Sequence, residues 1–161
     1  MVFEFLVAAI VFFSIMFYII NFVSASFTDS SSTAYTDSLN SKAMQISELL
    51  MHTEGTWTPT LTSLGLEHEW PLIANNKINS LNQECTANPT LVKQLLGLTE
   101  ARYDREYNYN ITMKTVSGAS LLNCGSKRTQ MASGHSKRIG VLYFPSTGTT
   151  GDEVVLDVFV W

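Results

Sequence analysis

Positive charge is missing from the start of this 161-residue chain: no lysine or arginine precedes Lys42, and only ten occur in all. With a formal net charge of -4 and a pI of about 5.3, nothing invites the phosphate backbone of a nucleic acid. The densest cationic cluster, Lys127-Arg128 with Lys137-Arg138, is split by a polar stretch and reads as a solvated hairpin face. Glycine and proline are absent between Phe5 and Val23, so nothing there breaks a helix. Cysteine is scarce as well. Cys85 and Cys124 lie too far apart for a CxxC redox pair or a zinc knuckle. In an exported domain a disulfide between them is the default, and closing a loop of roughly 40 residues stabilises by about 3–4 kcal/mol; two buried free thiols are the alternative. No GxSxG, Walker A or GxGxxG motif occurs, His52, His68 and His135 are scattered, and Glu67-His68-Glu69 lacks a second spaced histidine. Neither an enzyme, nor a cofactor, nor a metal site is expected.

The mean hydropathy of +0.10 is high for a soluble domain, and the excess lies between Phe5 and Phe27, where Tyr18 is the sole ionisable group. The stretch is long enough to cross a bilayer as a helix. It has three readings. A cleaved secretory signal fits Val23-Ser24-Ala25 as a small-residue cleavage site, but the basic n-region is missing and the apolar run exceeds the usual length. A single-span anchor needs only the hydrophobicity, yet its flank holds Glu4 and no cation to set orientation. An assembly helix gives Glu4 a role: in a bundle of copies its carboxylate pairs with a neighbour's α-amino group and complements its own helix dipole.

The continuation favours the third reading. Thr28-Asp-Ser-Ser-Ser-Thr33 clusters cap-forming residues, which predicts a kinked or melted segment around 27–33, with Asp29 or a nearby serine capping a new helix. Tyr35, Leu39, Ala43, Ile46 and Leu50 then recur at helical spacing, with Asp37, Asn40, Lys42 and Glu48 elsewhere. An all-round apolar helix thus becomes an amphipathic one that ends near His52. A plain anchor has no need to embed its helix in an extracellular core; a filament subunit does.

Phe3-Glu4-Phe5-Leu6-Val7, the aliphatic-aromatic run behind it and the amphipathic half together resemble archaeal type IV pilins and their archaellin-like relatives. That family carries its helix glutamate at the fifth mature position, and Glu4 is the residue that maps onto it, one place early if Met1 is the mature start. The resemblance implies a structural subunit of an extracellular cell-surface filament, held in the cytoplasmic membrane before assembly, with a role in adhesion or motility. Its implied partners are identical subunits, a prepilin peptidase, an assembly ATPase and a membrane platform protein. Polymerisation then falls to Met1, Glu4, Phe5, Leu6, Ile10, Phe13, Phe17 and Ile20. The alternative is a single-span anchored adhesin or receptor, or a minor pilin, that does not form the filament bulk.

The expected fold is α+β and type IV pilin-like: a helical part over residues 1–52, divided into a membrane or filament-core part (1–27) and an amphipathic part (28–52), and a globular head over 53–161. Gly55, Pro59, Gly65 and Pro71 punctuate a loop over 53–73, with Trp57 and Trp70 covering the core edge. Helices are predicted from Ile73 to Cys85 and from Pro89 to a stop at Gly97. Period-two alternation marks a strand over Tyr107–Lys114; Ser126–Ser133 and Ser136–Phe144 suggest two more around Gly134. Thr147–Gly151 reads as a turn before a last strand over Val154–Trp161, apolar on both faces and hence central or covered by neighbours. The result is a four-stranded antiparallel sheet. Asn110-Ile-Thr112 is the one N-x-S/T match with a permitted middle residue and the candidate glycosylation site.

Overall fold

The computed structural model describes residues 2–57, 61–100, 105–127 and 133–161, with the backbone alone described at Val2, over 25–32, and at Glu100 and Arg105. Met1, Pro59 and Arg128 lie outside the described residues. The chain forms two compact units, Met1–Asp37 and Ser38–Trp161.

Helix α1 runs over Val2–His52, with Glu4 in its first turn and His52 in its last. Its backbone stays helical through 27–33, so the expected melting does not occur and no new helix needs a cap there. The reason lies in cooperativity. Serine and threonine cost only a fraction of a kcal/mol each in a helix, and with helical turns already formed on both sides no second nucleation step is needed.

In the second unit, Leu39, Ala43 and Leu50 of α1 are wholly buried and Ile46 nearly so, whereas Tyr35 stays half-exposed. Four of the five predicted stripe residues thus enter the core. They pack with side chains from α2 (Asn75–Ala87), α3 (Pro89–Leu95) and the main sheet. α2 buries Ile78 and Leu81; α3 begins with Pro89 in its first turn, and Gly97 follows it at a φ of 68°.

The main sheet has six strands, not the four expected: β1 (Glu67–Glu69), β2 (Leu72–Ala74), β5 (Tyr109–Thr115), β6 (Ser120–Gly125), β7 (Gly134–Phe144) and β8 (Thr149–Val160), in the order β1-β2-β7-β8-β5-β6. It is mixed rather than antiparallel, because β2 runs parallel to β7. A separate ladder pairs β3 (Thr99–Glu100) with β4 (Arg105–Glu106). The region 53–73 is therefore not all loop: it holds β1, the start of β2 and a bridge between Thr56 and Ser63. Ile73 belongs to β2, so α2 starts at Asn75. Ser126, Lys127 and Ser133 are outside any strand, residues 128–132 of the expected strand lie outside the described residues, and the strand of this region is β6, just upstream. β8 absorbs Thr149–Gly151, leaving the turn at 145–148. β8 pairs with β7 on one side and β5 on the other, the central place its two apolar faces predict.

α1 meets β7 at very close range. A Cβ on Gly134 would fall 2.0 Å from the Leu39 carbonyl oxygen, so glycine is required by helix backbone that cannot move aside. Nearby, Ser47 donates to the Met44 carbonyl at 2.8 Å and its oxygen lies 2.8 Å from the Ser136 hydroxyl, which satisfies a buried pair. Arg138 bonds to the Glu48 carboxylate, and the Asn40 side chain accepts from the His135 amide at 3.2 Å. Leu50→Ala is expected to cost about 2–5 kcal/mol of unfolding free energy, and Gly134→Ala about 1–3 kcal/mol by overpacking. Tyr35→Ala should stay within about 0.5 kcal/mol. Urea unfolding of the full chain in mild detergent reads all three.

Candidate functional site

Phe3–Ser24 forms 22 residues of α1 with none of its span buried, and it is apolar enough to be a membrane anchor or a signal sequence. At 1.5 Å per residue it extends about 33 Å, against a hydrocarbon thickness of about 30 Å. Large apolar side chains point outward all around it: Phe3 and Phe5 are more than three-quarters exposed, and Leu6, Ile10, Phe13, Phe17 and Ile20 more than half. Two of the polar residues inside the span turn back on their own helix. Ser14 donates to the Ile10 carbonyl and Asn21 to the Phe17 carbonyl, each at 2.8 Å. Such bonds lower the cost of holding a hydroxyl or an amide in hydrocarbon. Glu4 sits exposed in the first turn, where its charge complements the helix N-terminus. The proposed polymerisation residues other than Met1 are therefore all on this uncovered surface, while Met1 lies outside the described residues.

Elsewhere the head spends its polar and aromatic groups internally. The Trp57 indole N–H donates to the Gly65 carbonyl at 2.9 Å, and its ring packs against the core. Trp70, half-exposed, lies 4.2 Å from the His52 ring, and His52 is 3.2 Å from Glu48. His68 stacks on Tyr143 and His135 on Phe159, both at 4.3 Å, with His135 also 3.0 Å from Asp157. Among the described residues, no three His, Cys, Asp or Glu side chains come together as a metal site.

Lys77, which the sequence places on the predicted helix without a partner, clamps the start of α2. Its ammonium donates to the Glu54 carbonyl at 2.7 Å and to the Glu67 carbonyl. Burial holds its pKa below the ordinary 10.5, with the Glu54 and Glu67 carboxylates acting in the opposite sense. Arg138, expected to be part of a solvated cationic face, instead joins Glu48 and lies 3.4 Å from the Ser47 hydroxyl. Sequence carries no signal for either contact, since both partners come from elements distant in the chain.

Cys85 on α2 and Cys124 on β6 are joined by a disulfide with their Cα atoms 5.4 Å apart. Beside it opens a cleft of about 380 Å³, walled by Pro89 and Lys93 of α3, Glu106, Asn108, Tyr109 and Ser126. Lys93 and Glu106 pair across it at 2.9 Å. The Tyr109 hydroxyl lies 3.7 Å from the Cys124 sulfur, and burial pushes the phenol's pKa above its ordinary 10.0. Asn110 sits on β5 with its amide donating to Asn123 across the ladder at 3.4 Å, at the edge of a hollow shared with Gly125 and Lys127. The sites are thus dispersed: an uncovered apolar helix, a disulfide-flanked cleft and a polar hollow on the sheet.

No protein-family model, curated protein or solved structure matches the chain.

Replacing both Cys85 and Cys124 by alanine is expected to cost about 2–5 kcal/mol, and intact-mass measurement after alkylation of the oxidised protein should find no free thiol. Tyr109 and Lys77 make opposed contributions at high pH. The raised folded pKa of Tyr109 means that its contribution is complete below pH 10.0 and is lost as pH climbs through the folded value. The lowered pKa of Lys77 means that its burial penalty is present at neutral pH and relieved as pH rises toward 10.5. Tyr109→Phe should therefore flatten the loss of stability above pH 10.0, measured by denaturant unfolding between pH 8 and 11.

Proposed function

We propose that this chain is a structural subunit of an extracellular, pilus-like filament, held in the cytoplasmic membrane by Phe3–Ser24 and polymerised through that same helix. The observation that carries the reading is the double use of α1. Its first part exposes apolar side chains on every side, and its last part, Leu39 to Met51, supplies buried residues to the head. A helix built into a folded core can hold a head in register with a bundle of such helices, which a tether need not do. In the bundle, neighbouring helices replace lipid, and Glu4 neutralises the amino terminus of an adjacent copy. A peptidase that trims the chain, an ATPase and a membrane platform protein complete the assembly route. The reading assigns adhesion or motility at the cell surface and no catalysis, and it makes Asn110 the glycosylation acceptor.

A single-span adhesin or receptor is the rival reading, favoured by the cleft between Lys93 and Tyr109. Physical state separates the two. A filament subunit is recovered from sheared cells as detergent-resistant fibres; discrete particles in mild detergent would overturn the proposal. Glu4→Ala is expected to reduce fibre yield at least tenfold while urea unfolding of the head is unchanged, and normal yield from that variant would remove Glu4 from the mechanism. Asn110→Gln should lower the intact mass by that of a glycan if the acceptor is correctly assigned.

A further inference from the structure

The hydrogen-bonding side chains of the span are not scattered around it. Counting about 100° per residue, Glu4, Ser14, Tyr18 and Asn21 fall within one arc of about 100°, and Val7 and Val11 fill the positions between them. These six residues are spaced three, four, three, four and three apart, the repeat that keeps one stripe facing a partner helix over successive turns. Ser24, at the end of the span, lies off the stripe, and Phe3 and Phe22 border it. Phe5, Phe12, Phe13 and Phe17 lie outside it.

Donor and acceptor accounting gives the stripe a purpose. Asn21 uses one amide N–H on the Phe17 carbonyl. A second N–H and the carbonyl oxygen of the same side chain remain, with both lone pairs of that oxygen available. Ser14 already donates to Ile10, so it presents a compact oxygen that allows close helix approach. Tyr18 stacks its ring on Phe22, centroids 6.5 Å apart, and its Cα lies at the centre of the stripe. In hydrocarbon such unspent capacity is costly, and a facing helix can satisfy it.

We propose that Val7, Val11, Ser14, Tyr18 and Asn21 form a pairing seam on which a second copy of this chain docks in the membrane, parallel and in register. Copies of a single-span chain share one orientation in the bilayer, so the pair is parallel. In register, the two Asn21 amides face each other, and each donates its second N–H to the other's carbonyl oxygen. The seam runs from Val7 to Asn21, and Glu4 at its outer edge is left for the amino-terminal contact proposed above. Phe13 and Ile20 lie on the far side of the helix, with Leu6 towards them and Ile10 and Phe17 flanking the seam, and these exposed side chains stay free for further copies. The inference rests on the membrane residence of Phe3–Ser24 and not on polymerisation: a pair is expected even if fibres never form.

Single-cysteine substitution of the full chain in liposomes tests it, since Cys85 and Cys124 are already paired. Flotation first establishes that each variant is membrane-bound. Oxidative cross-linking is then expected to peak for Val7→Cys, Val11→Cys, Ser14→Cys and Asn21→Cys and to be weak for Leu6→Cys, Phe13→Cys and Ile20→Cys. A flat profile, or one peaking on the opposite face, in floated protein overturns the seam alone. Protein that fails to float overturns the membrane placement and the seam with it. In a second measurement, energy transfer between labelled copies, Asn21→Leu should weaken association about three- to thirtyfold and Asn21→Gln should restore it. Moving the amide with Asn21→Ile and Ile20→Asn together should not restore it. Association unaffected by Asn21→Leu would rule out the amide contact.

Discussion

The contact between α1 and β7 constrains most of what lies around it. At Gly134 the helix backbone comes so near the strand that no Cβ fits, and this close approach brings Ser47 within hydrogen-bond reach of Ser136 and Glu48 within reach of Arg138. With the helix seated there, Leu39, Ala43, Ile46 and Leu50 occupy the centre of the core, and α2 and α3 fill the remaining area of the same layer. Each buried aliphatic side chain contributes about 1.5–3 kcal/mol of transfer free energy. The polar pairs add little net stability by comparison. They fix rotation: a helix turned by one residue would bury the Glu48 carboxylate and leave Ser47 without its partner.

The first unit answers to a different solvent. Among the described residues none covers the apolar side chains between Phe3 and Val23, and the internal bonds of Ser14 and Asn21 limit the polarity that the helix presents. In water such a surface is an aggregation hazard; against lipid or against other copies of itself it is ordinary. One helix therefore carries two stability problems, solved by the head for its last turns and by the surroundings for its first.

The physical scale of each signal decides what the sequence could reveal. Long periodic segments were plain: the apolar span, the stripe from Leu39 to Leu50, the alternation of Tyr109, Ile111 and Met113, and the double-faced β8. Strands of two or three residues, β1 to β4, are too short to show any period, and β6 hid because Leu121 and Leu122 adjoin and blur the alternation. The parallel pairing of β2 with β7 joins residues about seventy apart and leaves no local trace. The serine-threonine cluster at 28–33 stays helical because cooperativity with the helix on either side outweighs local competition for backbone hydrogen bonds. Lys77 and Arg138 could not have been assigned, because a cation's partner is set by the fold and not by its neighbours in sequence.

The place of β7 within the sheet bears on how the molecule would carry tension. A load passing along α1 into the head would reach β7 through the contacts at Gly134, Ser136 and Arg138, and β7 is an interior strand, bonded to β2 on one side and along ten registered pairs to β8 on the other. The load is thereby shared between two ladders, whereas a helix docked on the edge strand β6 would peel a single one. One of the two edge strands, β6, is tied covalently to α2 by the Cys85–Cys124 bond. Strand order thus decides how such a load would be shared within the head, independently of how much apolar area is buried.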